Sequence, residues 1–539
     1  GSLPCMTVCI CAPPVACNMG QAPLAKGMAP RTTSLFDSAP APACPAPFNM
    51  AGYVLGRAAH MGDKAAVIVV GDAPPQRLDY VDLRAAVLGT ATGLLQAGFG
   101  PGDRVLLRLG NSIDMPLAYL GCIAAGLVPV LTSAALTSPE VARIIADIAP
   151  RLILRDPDVP SASGPPELGL HALRSLRDLP PADLDMGDPD RLGYIVYTSG
   201  TSGRPRAVAH AHRAIWARRM MFDAWYGLRA DDRLLHAGAV NWTYTLGTGL
   251  MDPWTVGATA LIPAPGTPPG RLGTLLADHD ATLFAAAPGV YRQMLARSTL
   301  PPLPQLRHGL SAGEKMPPAL HTAWADATGT AVYEAFGMSE CSTFISCAPT
   351  NPAPHDTMGR PQPGRRVAIV GAEGPLPIGD TGVIAIDRRD PGLMLGYLNA
   401  QAETDARFRD DWFLTGDLGT MAADGTISYA GRDDDMMNAG GFRVSPIEVE
   451  QAMLSTPGLT TCAAAEVQLS PGKSIIVLFY TGPQPLDDAA LKAHAATRLA
   501  RYKQPRAFVH LPTLPTGPTG KLIRRHLPRH WPHERRTLQ

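Results

Sequence analysis

Residues 197–206, YTSGTSGRPR, gather Thr198, Ser199, Thr201 and Ser202 around Gly200 and Gly203, and then add Arg204 and Arg206. Hydroxyls and glycine-freed backbone N–H groups donate hydrogen bonds, and arginine brings positive charge. The stretch therefore has the chemistry to hold phosphate. It lacks the Walker spacing, because no lysine followed by Ser or Thr stands at the required offset, and no G-x-G-x-x-G occurs to suggest a dinucleotide fold. An apolar strand is expected just before it, at Gly193–Tyr197, and a helix after it, over His212–Tyr226. A loop between strand and helix would face an anion toward a helix N-terminus. On composition alone, a solvated turn explains the stretch equally well.

A second pattern competes. Gly309-Leu310-Ser311-Ala312-Gly313 matches G-x-S-x-G, the nucleophile elbow of hydrolases. That reading needs an acid and then a histidine downstream of Ser311. His321 is too near, and neither His355 nor His494 stands in a catalytic context; His494 falls within a helical pattern.

The elements around these stretches alternate. Helical patterns over Tyr80–Gly98, Pro116–Ala125 and Glu140–Ile148 interleave with apolar runs at Arg104–Leu109, Leu127–Leu131 and Leu152–Leu154. This rhythm predicts α/β architecture with a mostly parallel sheet. A proline-rich stretch, Pro157–Pro181, reads as a link between subdomains. Near residue 431 the pattern changes. The acidic knot GRDDDMMNAGG precedes a helix over Val444–Leu454 with Pro446 in its first turn, a strand over Ser474–Tyr480 and a helix over Ala489–Leu499. Glycines and charges there suggest a hinge into a small C-terminal domain.

Four further stretches accompany the first: YEAFGMSE (Tyr333–Glu340), WFLTGD (Trp412–Asp417), GRDDDMMNAGGFRVSPIEVE (Gly431–Glu450) and PTGPTGKLIRR (Pro515–Arg525). In this order, over residues from about 50 to 530, the five resemble the motifs of the adenylate-forming superfamily of acyl-CoA synthetases, adenylation domains and luciferases. The resemblance implies an α/β fold, with a large N-terminal adenylating domain of layered subdomains (46–432) and a small mobile α+β lid (433–539). Residues 1–45 are expected to be a disordered leader whose Gly1-Ser2 is a cloning remnant.

The resemblance also implies a reaction. A carboxylate is a poor electrophile; the family attaches AMP to it with loss of pyrophosphate, and a thiol then displaces AMP. Two anions meet in the first step, so positioning and charge neutralisation must dominate. In that scheme Thr198, Ser199, Gly200, Thr201, Ser202, Gly203 and Arg206 hold the β- and γ-phosphates, and Ser339 touches phosphate. Glu340 ligates Mg²⁺. Asp417 accepts from the ribose hydroxyls, and Arg432 contacts ribose or phosphate. Gly313, Glu314, Glu334, Ala335, Phe336, Gly337 and Met338 line the adenine slot, which removes Ser311 from the hydrolase reading. Lys521 bridges the carboxylate and the α-phosphate. The hinge is expected at Asp434, and the thiol tunnel beside Gly440, Gly441 and Phe442, with Lys503 near the phosphates of CoA. Several residues depart from the family's usual ones: Arg206 stands for Lys, Ala207 for Gly, Phe336 for Tyr and Asn438 for Lys. Arg206 keeps the charge but replaces a point charge with a planar fork.

For the acid, NWTYTLGTGL (Asn241–Leu250) looks closest to benzoate-CoA ligases. Trp242, Tyr244, Thr245, Ala287, Met338 and Thr343 are the expected acyl-pocket residues. Bulky Trp242 and Met338 favour a short closed pocket, hence a small aryl or short-to-medium aliphatic acid. CoA is the expected thiol, with loading of a carrier protein and non-catalytic sensing of an acyl-adenylate as alternatives.

Bulk composition agrees with a folded enzyme. Apolar residues are 46% and charged residues 17% of 539, a globular balance with room for two or more domains. Lys plus Arg and Asp plus Glu both total 47, so no global field favours nucleic acid or an anionic membrane. The most apolar run, Cys122–Leu136, is interrupted by Pro129 and does not read as a membrane span. Four of nine cysteines stand at positions 5, 9, 11 and 17, with spacings that match no zinc pattern. The other five are scattered, which suits a reducing cytoplasm.

Overall fold

The computed structural model describes residues 32–532 apart from 72, 199–205, 298, 440–441, 471–472, 500 and 518–519. Short uncharged runs such as Val128–Leu131 and Leu283–Ala286 become central strands, buried at every residue, because helices cover both faces of their sheets. Up to Arg432 the described residues form three sheets. The first runs Gly396–Tyr397, Arg206–Ala211, Leu192–Thr198, Val128–Leu131, Arg104–Arg108, Leu152–Arg155 and Glu167–Gly169. Its five strands from Leu192–Thr198 onward are parallel, and the other two are antiparallel at one edge.

The second sheet has nine strands. Its centre places Val332–Met338 beside His308–Ala312, Leu283–Ala286, Arg233–His236 and Thr259–Pro263, all parallel. Antiparallel Ser342–Ser346 closes on Val332–Met338 through a bulge at Phe336/Gly337. The third sheet is antiparallel and carries Trp412–Met421 against Ile427–Arg432, with Asp417 directly opposite Arg432.

Beyond Arg432, a turn at Asp433–Asp435 leads to helix Pro446–Met453, a sheet of Thr461–Ser470, Lys473–Thr481 and Ala507–His510, and helix Asp488–Arg498. These elements bury a core of their own, including Val449, Met453, Leu478, Leu491 and Phe508. Helix Pro446–Met453 starts where Ser445 accepts from the Glu448 N–H, with Pro446 at a position that needs no donor.

Most predicted elements fall within two residues of their observed bounds. Three readings are corrected. The stretch Pro157–Pro181 is more than a link: Glu167–Gly169 joins the first sheet and Leu170–Ser175 is helical. The turn after it lies so close to helix Tyr80–Gln96 that a Cβ at Gly89 would stand 2.6 Å from the Arg177 carbonyl. The expected helix His212–Tyr226 is broken into Ala214–Ala217 and a π-helical turn at Phe222–Tyr226. Between them Arg218 is drawn into the core by Asp252, a tertiary pairing that outweighs helical periodicity. Third, the phosphate-type loop is followed by a strand, Arg206–Ala211, so it joins two antiparallel strands with Thr198 opposite Arg206. Within the expected leader, Leu35–Asp37 pairs with Arg366–Gly371, and Trp216 Nε1 donates to the Pro42 carbonyl. Cys5, Cys9, Cys11 and Cys17 lie outside the described residues.

Candidate active site

The second and third sheets and the edge of the first converge on one cluster of polar groups. Glu340 follows strand Val332–Met338 and is 9% exposed. Tyr397, on the edge strand of the first sheet, donates to Glu340 Oε1 at 2.7 Å. The Arg206 guanidinium lies over the Tyr397 ring at 5.0 Å and pairs with Glu403 at 2.7 Å. Burial, followed by the nearby Glu340 charge, pushes the Tyr397 hydroxyl up to about 12, so it stays a donor. Ser339 is held from the same side, with its carbonyl 2.7 Å from His210 Nε2. A carbonyl only accepts, so Nε2 carries the proton.

Asp417 stands on the neighbouring strand and is 6% exposed. Tyr429 donates to its Oδ1 at 3.0 Å, and Arg432 Nη1 lies 3.6 Å from the same oxygen. The Phe336 ring is 6.0 Å from that of Tyr429, which connects the two strands. Gly337 is required where it stands, since a Cβ would meet the Ser342 carbonyl at 2.1 Å. Gly313 adopts φ +95°, with the Trp242 ring 3.3 Å from where its Cβ would be.

Glu314 is exposed just after strand His308–Ala312 of the second sheet. Crowding by protein raises its carboxyl above the usual range, while the positive charges of Lys521 and Arg292 pull it down. Lys521 is itself exposed. Its placement near Glu314 brings the C-terminal segment over residues more than two hundred positions earlier.

Glu334 is engaged elsewhere. Its carboxylate accepts from Lys315 Nζ at 2.5 Å and from the Met316 N–H at 2.7 Å, and lies 3.0 Å from His321 Nε2. Only its backbone and that of Ala335 run beside Ser311 and Ala312 in the sheet. Ser311 is fully buried on a strand, a setting unlike an exposed nucleophile elbow.

Among the expected acyl-pocket residues, Tyr244 gathers aromatic neighbours: Trp225 at 5.9 Å, Trp242 at 5.1 Å and His236 at 4.4 Å. Thr245 opens the π-helical turn Thr245–Met251, Met338 ends strand Val332–Met338, and Thr343 Oγ1 donates to Met221 Sδ at 2.9 Å. Ala287 follows strand Leu283–Ala286. In the small domain, Lys503 Nζ pairs with Glu448 at 2.5 Å. Asp434 lies in the turn Asp433–Asp435, and Phe442 in the strand Phe442–Val444. Ser199, Gly200, Thr201, Ser202, Gly203, Gly440 and Gly441 lie outside the described residues.

Sequence reasoning missed Tyr397, Tyr429, His210 and Arg218. Tyr397 lies 57 residues from Glu340, and Arg218 lies 34 from Asp252. The only available signal was an arginine and tyrosines inside otherwise apolar stretches, which is too common to single them out.

Residues 56–398 match the family described as AMP-binding enzyme. A 3-hydroxybenzoate–CoA ligase of Aromatoleum sp. strain CIB is 29% identical over 504 residues, covering 88% of this chain and 95% of that protein. An anthranilate–CoA ligase of Pseudomonas aeruginosa is 32% identical over 485 residues, covering 84% of this chain and 91% of that protein. The crystal structure of a benzoate CoA ligase from Burkholderia xenovorans LB400 superposes with a TM-score of 0.78 at 26% identity, covering 89% of this chain and 99% of that one. The chain belongs to the AMP-binding enzyme family, in its acyl-CoA synthetase branch.

Proposed function

We propose that this enzyme adenylates a small carboxylic acid, aryl in class, with ATP and transfers the acyl group to CoA, releasing pyrophosphate and then AMP. The observation that carries the reading is the spacing of opposite chemistries around one cleft. The Glu340 carboxylate with Tyr397 and Arg206 forms one end, and Asp417 with Tyr429 and Arg432 forms the other. Lys521 stands by Glu314. Aryl-acid ligases among the relatives support the substrate class and CoA as acceptor.

ATP, Mg²⁺ and CoA are the reactants and metal of this branch. The residues present fit them. Glu340 offers a hard oxygen to a small divalent cation, and Mg²⁺ there would neutralise phosphate charge. Tyr397 occupies one oxygen of Glu340 and so fixes which oxygen faces the cleft. Arg206 supplies a fixed positive charge beside the phosphate loop, and Thr198 stands opposite it across the strand pair. Asp417 is acceptor-only when ionised, as two ribose hydroxyls require. Phe336 offers a ring face toward adenine but no hydroxyl. Lys521 supplies the charge that lets the acid carboxylate approach the α-phosphate. It is carried by the small domain, and the turn at Asp433–Asp435 is where rotation withdraws it before thiol attack. Residues 46–432 and 433–539 are the two moving bodies.

The test is pyrophosphate release with Mg-ATP over a panel of aryl and C2–C12 acids, with and without CoA. Release with aryl acids, and thioester only when CoA is present, is expected. No release with any acid would overturn the reading in favour of a non-catalytic nucleotide binder.

A further inference from the structure

Behind Met338 the fold encloses a cavity of about 40 Å³, room for one or two water-sized groups and too small for an aromatic ring. Tyr119, Tyr194, His210, Arg218, Met338 and Ser342 are in its lining. Met338 is also an expected acyl-pocket residue, so the two spaces share a wall. Its lining is largely apolar but carries several polar side chains. Tyr119 is fully buried and its hydroxyl has no partner among the described residues; His210 is 3% exposed and its Nδ1 has none among them either. Unpaired buried groups of this kind are uncommon and call for an occupant.

The chemistry of the lining says what that occupant must be. His210 Nε2 donates to the Ser339 carbonyl. Burial holds the ring neutral, its pKa down to about 4, so Nδ1 is a bare acceptor. Stacking on Tyr194, at 5.0 Å and 17°, fixes the plane of that lone pair. Tyr119 can donate or accept. Ser342 Oγ accepts from Arg218 Nη1 at 2.6 Å, which leaves its own hydrogen to donate. Arg218 itself is neutralised by Asp252 at 2.7 Å, so the cavity offers no net charge to a second carboxylate. An acceptor nitrogen beside two hydroxyl donors suits one small neutral group that both donates and accepts.

We propose that this cavity is a specificity subsite for a hydroxyl or amino substituent on the acid, which donates to His210 Nδ1 and accepts from Tyr119 or Ser342. The inference rests on the aryl-acid reading above and narrows it to ring-hydroxylated or ring-aminated acids. Such a group bonds His210 and one of the two hydroxyls from the ring itself, whereas a bare ring does not reach into the cavity and makes neither bond. Sites built to bond a substrate OH or NH discriminate strongly against the analogue lacking it.

The test measures kcat/KM of the wild-type enzyme for benzoate and for its hydroxy and amino derivatives at each ring position, by pyrophosphate release. One substituted acid is expected to exceed benzoate on the order of a hundredfold. Tyr119→Phe, which removes only the oxygen, is expected to shrink that ratio roughly tenfold, with the change mostly in KM. His210→Asn is the second variant, and it is expected to shrink the ratio as well. Benzoate turned over as fast as every derivative would overturn the subsite while leaving the ligase reading intact. Variants that lower all acids equally, with the ratio kept, would also overturn it and assign the residues to packing. No release with any acid would overturn both.

Discussion

Tyr397 donates its hydroxyl to Glu340 at 2.7 Å while the face of its ring carries the Arg206 guanidinium at 5.0 Å. One side chain thus touches both the anion and the cation that the proposed function sets to work on phosphate. A hydrogen bond to a carboxylate that binds a cation sets its orientation, and losing such a bond weakens the metal without removing the ligand. Tyr397→Phe is therefore expected to raise the Mg²⁺ concentration for half-maximal pyrophosphate release by roughly tenfold. Glu340→Gln is expected to lower the rate at saturating Mg²⁺ on the order of a hundredfold or more. An unchanged Mg²⁺ titration in Tyr397→Phe would remove Tyr397 from the metal end.

Lys521 is exposed, yet its charge is felt at Glu314. On the reading proposed above, Lys521 serves the adenylation step and not the thiol step. Lys521→Ala is expected to reduce pyrophosphate release on the order of 10²–10³-fold. Thioester formation from a supplied acyl-adenylate plus CoA should be largely unchanged. Equal loss in the two half-reactions would sink the assignment, and single-turnover measurements separate them.

The motifs were legible because each is a short contiguous run, and the parallel strands were legible because burial on both faces leaves uninterrupted apolar runs such as Val128–Leu131. Positions that depend on contacts far along the chain were not. The strand Arg206–Ala211, reading RAVAHA, lacks β-branched residues apart from Val208, and its strand state comes from pairing with Leu192–Thr198 on one side and Gly396–Tyr397 on the other. The break after Ala217 has a similar origin, since nothing local in the run after His212 announces that Arg218 will turn inward to Asp252. Glu334 read as an adenine-slot residue because it adjoins Phe336 and Gly337. Its carboxylate is instead held by Lys315, the Met316 N–H and His321, partners 13 to 19 residues earlier that nothing in the motif announces.

The Arg218–Asp252 pair makes a stability prediction. Burial opposes the charge on Arg218, but Asp252 outweighs it and holds the guanidinium firmly protonated. Asp252 accepts from both Arg218 Nε and Nη2, and Tyr226 donates to it at 2.8 Å. Removing one partner leaves an uncompensated buried charge. Asp252→Ala is expected to cost about 3–5 kcal/mol. Replacing both residues, with Arg218→Met and Asp252→Leu, is expected to recover much of that loss, because no charge remains buried. Urea unfolding midpoints of the two single variants and the double variant measure the coupling. Simple additivity would show that the pair does not act as a unit.

Acid should unfold this protein through its buried histidines, and His236 is the sharpest case. It is fully buried, its ring lies 4.4 Å from Tyr244, and neither ring nitrogen has a partner among the described residues. Burial alone holds its pKa down to about 3, against an ordinary value near 6.5. The unfolded chain therefore binds a proton at His236 that the folded chain refuses. Stability from this residue is complete above the unfolded pKa and is lost as pH falls from about 6.5 toward 3, at roughly 1.4 kcal/mol per pH unit. At pH 5 the loss amounts to about 2 kcal/mol. His236→Phe keeps the ring and removes the titration, so its unfolding midpoint should fall less between pH 7 and pH 5 than that of the wild type. His210 and His308, also held neutral by burial with pKa down to about 4, keep part of the slope in the variant. Identical slopes in wild type and His236→Phe, measured by thermal unfolding across that range, would show that His236 takes up its proton without unfolding the chain.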